Sequence, residues 1–290
     1  MTIRLSAFAD EAGSALSEQI AALKRNRISL VELRNVDGVN VWDWTEEKAE
    51  AIRNALSEAK ISVWSIGSPI GKVPVDVNLH DYLIGCKKIF RIAGILGTTR
   101  VRAFSFFGAY DAPSRVVAHL REIVSTAADY GIEIYHENEK EIFGDTPERV
   151  LYLLNHVNGL KSVFDPANYV QCGKNVRQAL EELSERTDYY HIKDIDAETG
   201  EIVPAGLGDG DIDCLIAGIS GDKTLTVEPH LRVFEGYDRL DGNPLKNRYC
   251  FSSFTESFDC AVTCLKKELE KGGYKEDGNG DYHAGNMDNR

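Results

Sequence analysis

The sequence lacks an excess of basic residues: 33 Lys and Arg stand against 46 Asp and Glu, which leaves a formal charge of −13. Proteins that bind the phosphate backbone of nucleic acids present a broad positive face, so a nucleic-acid partner is excluded. A small anionic substrate stays compatible with this balance, because a few cations in one cleft can dominate the local field.

The sequence also lacks a long apolar run, since no stretch approaches the ~20 apolar residues that a membrane-spanning helix needs. Residues 1–10 are apolar only briefly and then turn acidic at Asp10, which does not match a signal peptide. The 6 cysteines are scattered without a Cys-x-x-Cys pair and are interpreted as reduced thiols. We therefore expect a cytoplasmic protein with no membrane partner.

A glycine-rich phosphate turn is missing after the first predicted strand, where Asp10, Glu11 and Ala12 precede a single Gly13. An open doubly wound sheet normally carries that turn, so this architecture is disfavoured. Eight β-prone runs instead alternate with amphipathic helical stretches, with no break in composition. The predicted strands cover residues 3–9, 29–34, 61–66, 99–106, 132–137, 160–164, 188–192 and 223–227. We predict one α/β domain over residues 1–271, a single (β/α)₈ TIM barrel, whose usual length fits this chain.

Two segments fall outside this alternation of strands and helices. Residues 272–290 are rich in Gly, Asn and Asp and poor in apolar residues, which predicts a polar, flexible tail or a lid on a partner. Residues 234–251 form a long connection before the closing helix, and we assign them either to a subunit interface or to a lid. Barrel enzymes of this type are often dimers or tetramers, so a homo-oligomer is compatible with the sequence.

Four metal-competent side chains stand at the ends of β-prone runs in the second half of the chain. Glu137, Asp165, His191 and Glu228 follow one another at intervals of 28, 26 and 37 residues, which suits successive strand–helix units. Each residue taken alone would be interpreted as an ordinary polar strand end. The carboxyl ends of successive parallel strands converge, however, so the four could share one ion. Three carboxylates and one imidazole suit Mn²⁺, Mg²⁺ or Co²⁺ better than structural zinc.

Longer motifs surround these four residues and carry a family resemblance. They are His136-Glu137-Asn138-Glu139-Lys140, Phe164-Asp165-Pro166-Ala167-Asn168, His191-Ile192-Lys193-Asp194, Gly206-Leu207-Gly208-Asp209-Gly210 and Val227-Glu228-Pro229-His230, with Phe8-Ala9-Asp10-Glu11, Val31-Glu32-Leu33-Arg34 and the run from Ser65 to Lys72 in the first half. In combination they resemble the xylose isomerase-like TIM-barrel superfamily of sugar phosphate isomerases and epimerases. The resemblance spans roughly residues 3–270 and is specific to the superfamily rather than to one substrate.

The resemblance implies a divalent metal held by Glu137, Asp165, His191 and Glu228, which match the metal quartet of the ketose 3-epimerases. In those enzymes the two glutamates also act as acid and base. The implied protein is a metal-dependent isomerase or epimerase of a small carbohydrate. Mn²⁺ is the expected ion, and Mg²⁺, Co²⁺ or Zn²⁺ are alternatives.

Two positions depart from the ketose 3-epimerases that the sequence resembles. Asn168 stands where those enzymes usually carry a substrate-contacting His, and Ala197 replaces an Arg six residues after the metal-binding His. These departures leave the reaction type in place but weaken a free ketohexose as the substrate. A sugar, a sugar acid and a sugar phosphate all stay open.

The chemistry of such a site follows from its residue types. A divalent ion on a ketose carbonyl acidifies the adjacent C–H and stabilises the enediolate. One carboxylate then removes the proton, and a second carboxylate on the opposite face returns one and inverts the carbon. Glu137 and Glu228 lie on the fifth and eighth predicted strands, across the barrel from each other. If only one of them reached the carbon, an aldose–ketose isomer would form instead.

Five further polar residues are candidate substrate contacts, namely Arg34, Lys72, Asn168, Lys193 and His230. The cations among them could hold a phosphate or a carboxylate, since charge-assisted hydrogen bonds are strong and directional. His230 follows Glu228 by two residues and could reach the mouth of the site.

Structural roles stay open for several of these positive side chains. Arg34 could form a salt bridge with Glu32 or Asp37, and Lys193 could orient one of the carboxylate ligands. Arg102, within the fourth strand, is interpreted as a buried structural partner. His136 precedes a strand-end ligand, so its side chain should point to the opposite side of the strand.

Two other functions fit the same scaffold. Lyases that dehydrate inososes or keto-sugar acids use the same enediolate with a leaving hydroxyl group. A sugar-binding barrel without activity would bind a ligand and leave it unchanged. The superfamily's apurinic-site endonucleases need many metal-binding histidines, whereas only His191 clearly ends a predicted strand here.

Overall fold

The computed structural model describes residues 1–233 and 248–285, and a curled sheet of parallel strands lies at its centre. In chain order the strands are β1 (Thr2–Ala7), β2 (Leu30–Leu33), β3 (Ser62–Gly67), β4 (Arg100–Ala103), β5 (Glu133–Glu137), β6 (Lys161–Phe164), β7 (Tyr189–Ile192) and β8 (Lys223–Val227). Consecutive strands from β2 to β8 are hydrogen-bonded in parallel, and β8 pairs in parallel with β1. Because β1 also lies against β2, the ring closes, and the predicted TIM barrel is confirmed.

Helices cover the outside of the barrel in the described part of the chain. They are α1 (Leu16–Arg25), α2 (Glu46–Glu58), α3 (Leu79–Ile95), α4 (Pro113–Ala128), α5 (Pro147–His156), α6 (Val176–Leu183), α7 (Ile212–Gly218) and α8 (Phe254–Lys271). Their starts follow local capping chemistry: the side chains of Thr45 and Thr146 each accept a hydrogen bond from a backbone N–H in the first turn of α2 and α5. Pro147 then occupies the first turn of α5, where no backbone donor is needed.

Apolar side chains form two cores of unequal size. The larger core fills the space between the strands and the surrounding helices, with residues such as Val101, Ile134 and Leu225 facing outward from the barrel. A smaller cluster of Tyr135, Val163 and Tyr189 packs separately and is joined by the partly buried Trp64. Burial of this kind is the main stabilising contribution to such a fold.

The fourth strand is shorter than the predicted run over residues 99–106. Beyond Ala103 the chain leaves the sheet, because the Phe104 and Phe106 N–H groups donate to the carbonyls of Ile70 and Gly71 instead of to a strand. Gly71 has φ +86, and a Cβ there would lie 2.2 Å from the Phe104 carbonyl oxygen. This close approach of two loops carries Phe104 toward the carboxyl end of the barrel.

The structure differs from the predicted flexible tail at residues 272–285. Two short strands, β9 (Tyr274–Glu276) and β10 (Tyr282–Ala284), form an antiparallel hairpin, and β10 pairs antiparallel with β1. The hairpin buries Tyr282 completely, and Asp277 closes the turn by accepting two backbone N–H groups. The sequence predicted disorder because this segment is mostly polar. The two buried tyrosines that anchor the hairpin, Tyr274 and Tyr282, are few among many turn-forming residues.

Some predicted features lie partly or wholly outside the described residues. Of the predicted interface or lid over residues 234–251, positions 234–247 are not described, and neither are residues 286–290 of the predicted tail. Cys250–Phe251 pairs in parallel with Arg232–Val233. No helix in the described part of the chain is long and apolar enough to cross a membrane.

Candidate active site

The carboxyl ends of four adjacent strands bring the predicted quartet together. Glu137 ends β5, His191 lies within β7, and Glu228 directly follows β8. Asp165 follows β6 and caps the short helix Pro166–Gln171. One ligand atom from each residue lies within 4.8 Å of the others, and all four side chains are buried.

The quartet contains polar atoms that the protein itself leaves unsatisfied. His191 Nδ1 lies 3.0 Å from Glu137 Oε1 and 3.6 Å from Glu228 Oε2. Asp165 Oδ2, His191 Nδ1 and Glu228 Oε2 are all buried without a well-aligned hydrogen bond from any described residue. Buried polar atoms without an aligned hydrogen bond are costly, and a divalent cation could coordinate all three at once. The donor set therefore fits a divalent metal, and this cluster can bind one.

A buried carboxylate holds the metal-facing histidine from behind. His191 Nε2 donates to Glu32 Oε2 at 3.1 Å, so Nδ1 is left facing the other three ligands. Glu32 also accepts hydrogen bonds from the hydroxyls of Tyr189 and Thr226, each at 3.1 Å. Glu32 lies between Val31 and Leu33 on β2, so alternation along the strand turns its side chain to the opposite face from theirs, where it meets His191.

Charges in the site set the protonation states of the two glutamates. Burial would raise the pKa of Glu137, but the charges of His191 and Arg102 outweigh it and lower this pKa to about 2. Burial likewise opposes ionisation of Glu228, yet Lys193 and His230 hold its pKa well below the usual value. Both glutamates are therefore anionic at neutral pH, the state that a metal ligand and a base require.

The pKa of the remaining carboxylate shifts the other way. Burial raises the pKa of Asp165 to about 6, although Lys193 acts against that shift. Lys193 Nζ lies 2.9 Å from Asp165 Oδ2 and 3.8 Å from Glu228 Oε2. Lys193 thus contacts two carboxylates of the quartet, in agreement with the predicted role in orienting one of them.

Arg34 contacts acidic partners that the sequence did not suggest. Its Nε lies 3.0 Å from Asp10 Oδ2, its Nη2 lies 3.1 Å from Glu11 Oε1, and its Nη1 lies 3.0 Å from Glu228 Oε1. The two alternatives expected from the sequence, Glu32 and Asp37, are not among its partners in the described chain.

Asn168, a predicted substrate contact, is buried and bonded to other residues of the protein. Its side-chain amide donates to the Asn138 carbonyl at 2.8 Å and lies 3.4 Å from Glu137 Oε1. Its backbone N–H donates to Asp165 Oδ1 at 3.0 Å. Asn168 is buried, and its contacts hold Glu137 and Asp165 in place.

His230 and Lys72 stand at the outer part of the site. His230 Nε2 lies 3.1 Å from Glu11 Oε1 and 3.4 Å from Glu228 Oε1. Lys72 Nζ forms an ion pair with Glu139 Oε2 at 3.0 Å. Both side chains retain about two-fifths of their exposure, so they can meet a ligand from solvent.

A cavity of about 220 Å³ opens above the quartet. Its lining comprises Arg34, Asn40, Gly67, Ser68, Pro69, Lys72, Arg102, Phe104, Glu137, Glu139, Lys193, Glu228 and His230. Four of the five predicted substrate contacts are in this lining, and Asn168 is the exception. A cavity with a polar wall and one aromatic ring suits a small polyhydroxylated molecule.

A family model described as a xylose isomerase-like TIM barrel matches residues 20–230. The chain belongs to this family. No curated protein sequence matches the chain.

Solved structures share the architecture of this xylose isomerase-like barrel at low sequence identity. The IolI protein with a bound zinc atom is 16% identical, with 93% of this chain and 99% of that chain covered and a TM-score of 0.71. D-allulose 3-epimerase from Methylomonas sp. is also 16% identical, with coverages of 93% and 98% and a TM-score of 0.68. The probable 3-DHS dehydratase AsbF from Bacillus anthracis is 16% identical, with coverages of 92% and 98% and a TM-score of 0.67. At this identity the likeness establishes the fold alone.

Several residues of the site were not found from the sequence of this xylose isomerase-like barrel. The sequence indicated Asp10, Glu11 and Glu139 only as members of motifs. It gave no sign that Phe104 lines the site. Glu32 was indicated only as a member of a motif and as a candidate partner of Arg34. One signal was available for Glu32, since a lone carboxylate inside an apolar strand is rarely buried without a specific partner.

Proposed function

We propose that this xylose isomerase-like barrel is a divalent-metal-dependent isomerase or epimerase of a small sugar, sugar acid or sugar phosphate. The observation that carries the proposal is the buried quartet, in which three atoms lack an aligned hydrogen bond, at the base of a polar cavity. Structural sites seldom combine such atoms with an open cavity, because each would cost stability without a ligand.

Glu137, Asp165, His191 and Glu228 would hold the ion, and we propose Mn²⁺ first, with Mg²⁺, Co²⁺ or Zn²⁺ as alternatives. Three carboxylates and one imidazole are ligands that these ions accept. When bound, the ion would polarise the substrate carbonyl and so acidify the adjacent C–H.

The two glutamates are the proposed acid and base. Both line the cavity, and they extend from β5 and β8, which are separated by two other strands of the barrel. As an anion, one of them can remove a proton from the carbon next to the carbonyl, and the other, on the opposite face, can return a proton once it has taken one up from solvent. Arg34 binds Glu228 Oε1 and leaves Oε2 directed at the quartet, which fixes this carboxylate in one orientation.

A dehydratase is the second candidate, and Lys193 favours it. Its side chain is 6% exposed, lines the cavity and lies beside two residues of the quartet. A cation there could stabilise the negative charge on a leaving hydroxyl group after proton removal, which would turn the same first step into loss of the hydroxyl group. A sugar-binding barrel without activity is the remaining alternative.

Proton–deuterium exchange in heavy water tests the proposed function. The protein loaded with Mn²⁺ is incubated with ketoses, keto-sugar acids, ketose phosphates and inososes, and exchange at the carbon beside the carbonyl is read by NMR. The mass of the product separates the candidates, since epimerisation conserves mass and dehydration removes water. Exchange with none of these compounds would refute an enzyme of this class.

Glu228→Gln is the matched variant for that experiment. It should reduce exchange by about 10²- to 10⁴-fold, the usual contribution of a general acid or base, and leave the fold intact by circular dichroism. Retention of full activity would remove Glu228 from the acid/base pair. The cytoplasmic location and the homo-oligomeric state expected from the sequence also stand as proposals.

A further inference from the structure

The guanidinium group of Arg102 is buried in the cavity wall with most of its donors unused. The side chain is 5% exposed, and its Nε lies 3.2 Å from Glu137 Oε2. No residue within 1–233 or 248–285 accepts a hydrogen bond from its Nη1 or Nη2, although the group lines the cavity. A buried guanidinium normally has its donors satisfied, so these nitrogens are positioned for something that enters the cavity.

A second cation packs against the same aromatic ring as Arg102. Arg102 Cζ lies 4.4 Å from the centre of the Phe104 ring, and Lys72 Nζ lies 4.3 Å from it. Both cations line the cavity, where Lys72 also forms an ion pair with Glu139. An anionic group that enters the cavity would meet both positive side chains.

The backbone beside Arg102 is shaped to leave room for its terminal nitrogens. A Cβ at Gly67 would lie 3.2 Å from Arg102 Nη2 and 2.4 Å from Cε1 of Phe8. The glycine at the end of β3 therefore keeps the guanidinium edge open to the cavity, and a larger residue would displace it.

The usual phosphate-binding element of such barrels is already occupied. In TIM barrels, phosphates often bind to backbone N–H groups of the loops after the seventh and eighth strands. Here the glycine loop after β7 donates the N–H groups of Gly206, Gly208 and Gly210 to the Asp194 carboxylate at 2.8–3.0 Å. With these donors used internally, an anion in the cavity would depend on side-chain cations such as Arg102 and Lys72, and a planar guanidinium group can bind a carboxylate through two parallel hydrogen bonds.

We propose that Arg102, assisted by Lys72, binds a carboxylate of the substrate, so that the enzyme acts on a keto-sugar acid rather than a neutral ketose or a phosphate ester. This inference rests on the proposed function, because it places the acid in the same cavity. It assigns Arg102 a role in specificity in addition to its contact with Glu137.

Three compounds that differ only at one carbon test the proposal: D-fructuronate, D-fructose and D-fructose 6-phosphate. Each is titrated into the Mn²⁺-loaded protein by calorimetry, and D-tagaturonate, D-tagatose and D-tagatose 6-phosphate form a second series. A uronate in at least one series should bind about 10- to 150-fold more tightly than its neutral ketose and its phosphate ester, the range of a charged hydrogen bond. Equal binding of acid and ketose in both series would overturn the proposal, whatever the protein turns over.

Arg102→Gln locates the carboxylate-binding residue. The variant should lose most of the preference for the uronate, by about 10-fold or more, whereas binding of the neutral ketose should change much less. Any effect through Glu137 acts on both ligands and cancels in the ratio of their affinities. Lys72→Met should lower the same ratio to a smaller extent and keeps the test usable if Arg102→Gln does not fold.

Arg100→Gln is the matched control, since Arg100 lies on the same strand and stacks on Trp64 rather than lining the cavity. It should leave the uronate preference unchanged. If Arg100→Gln and Arg102→Gln reduce the preference equally, the effect is one of overall charge and the proposal fails. Proton–deuterium exchange is measured separately: absence of exchange counts against the proposed reaction, and loss of the uronate preference counts against the carboxylate site.

Discussion

His191 and Glu32 form a buried pair in which the imidazole donates through Nε2 across 3.1 Å and presents Nδ1 to the metal ligands. Both side chains are almost completely removed from solvent. A carboxylate behind a metal-binding histidine fixes the ring orientation and increases the electron density at the ligating nitrogen. The strength of metal binding by the quartet would therefore depend on a residue that lies outside the quartet.

Replacement of that carboxylate should weaken metal binding without removing a ligand. Glu32→Gln keeps the size of the side chain but loses the charge, and we expect the Mn²⁺ affinity to fall about 10- to 100-fold by calorimetric titration. Thr226→Val removes a different donor to Glu32 and leaves the His191 contact, so it should cost much less. An unchanged affinity in Glu32→Gln would show that orientation by this pair is unimportant.

Metal loading should stabilise the fold, because it satisfies three buried atoms that otherwise have no aligned hydrogen bond. At a free Mn²⁺ concentration about 100 times the Kd, the gain is about 2.7 kcal/mol. Differential scanning calorimetry should show a Tm several degrees higher with Mn²⁺ than after chelation. The Asp165→Asn variant should show a much smaller rise, and an equal rise in both proteins would place the ion elsewhere.

A side chain at Gly208, in the glycine loop after β7, should destabilise the fold. A Cβ there would lie 2.5 Å from both Asp194 Oδ1 and the Ile195 carbonyl oxygen. Gly208→Ala should therefore lower the free energy of unfolding by about 1–3 kcal/mol in urea denaturation. Gly218→Ala, which has open space at the end of α7, should instead stabilise by about 0.5–1 kcal/mol. Equal effects at the two glycines would argue against a steric cause.

His136 should make the stability depend on pH between about 6.5 and 4. Burial lowers its pKa from 6.5 to about 4, and its Nε2 lies 2.9 Å from Ser105 Oγ. The unfolded chain therefore binds this proton more readily, so stability is complete above pH 6.5 and falls as the pH drops toward 4. The loss from this group is about 3 kcal/mol over that window.

His136→Leu isolates that contribution, because other titrating groups are common to both proteins. The free energy of unfolding of the variant should fall less steeply with decreasing pH than that of the wild type, by about 3 kcal/mol in total. Parallel curves for the two proteins would mean that folding does not shift the pKa of His136.

The parts of the fold and site that the sequence predicted are those with a local pattern. Alternation of strands and helices identified the barrel, and polar residues at strand ends identified Glu137, Asp165, His191 and Glu228. The spacing of these residues was informative because parallel strands place their ends together, whatever the details of packing.

The parts that were missed depend on contacts between distant segments. The choice of Asp10 and Glu11 as partners of Arg34, rather than Glu32 or Asp37, is decided by how the loop after β1 folds over the barrel. The contact of Glu32 with His191 joins residues 159 positions apart in the chain, which no feature of either strand alone reveals. Arg102 resembles any buried arginine until its unused donors and its neighbours are known.

The pairing of β10 with β1 has a consequence for the order of assembly. Among the described residues, both hydrogen-bonded neighbours of β1 come from residue 223 onward, namely β8 and the hairpin. The first strand to emerge during synthesis therefore acquires a hydrogen-bonded neighbouring strand only after almost the whole chain has been made. Pairings of this sequence separation form slowly, and an unpaired edge invites association with other chains. Removal of the hairpin should accordingly lower the yield of folded protein during expression more than it lowers the activity of the molecules that fold.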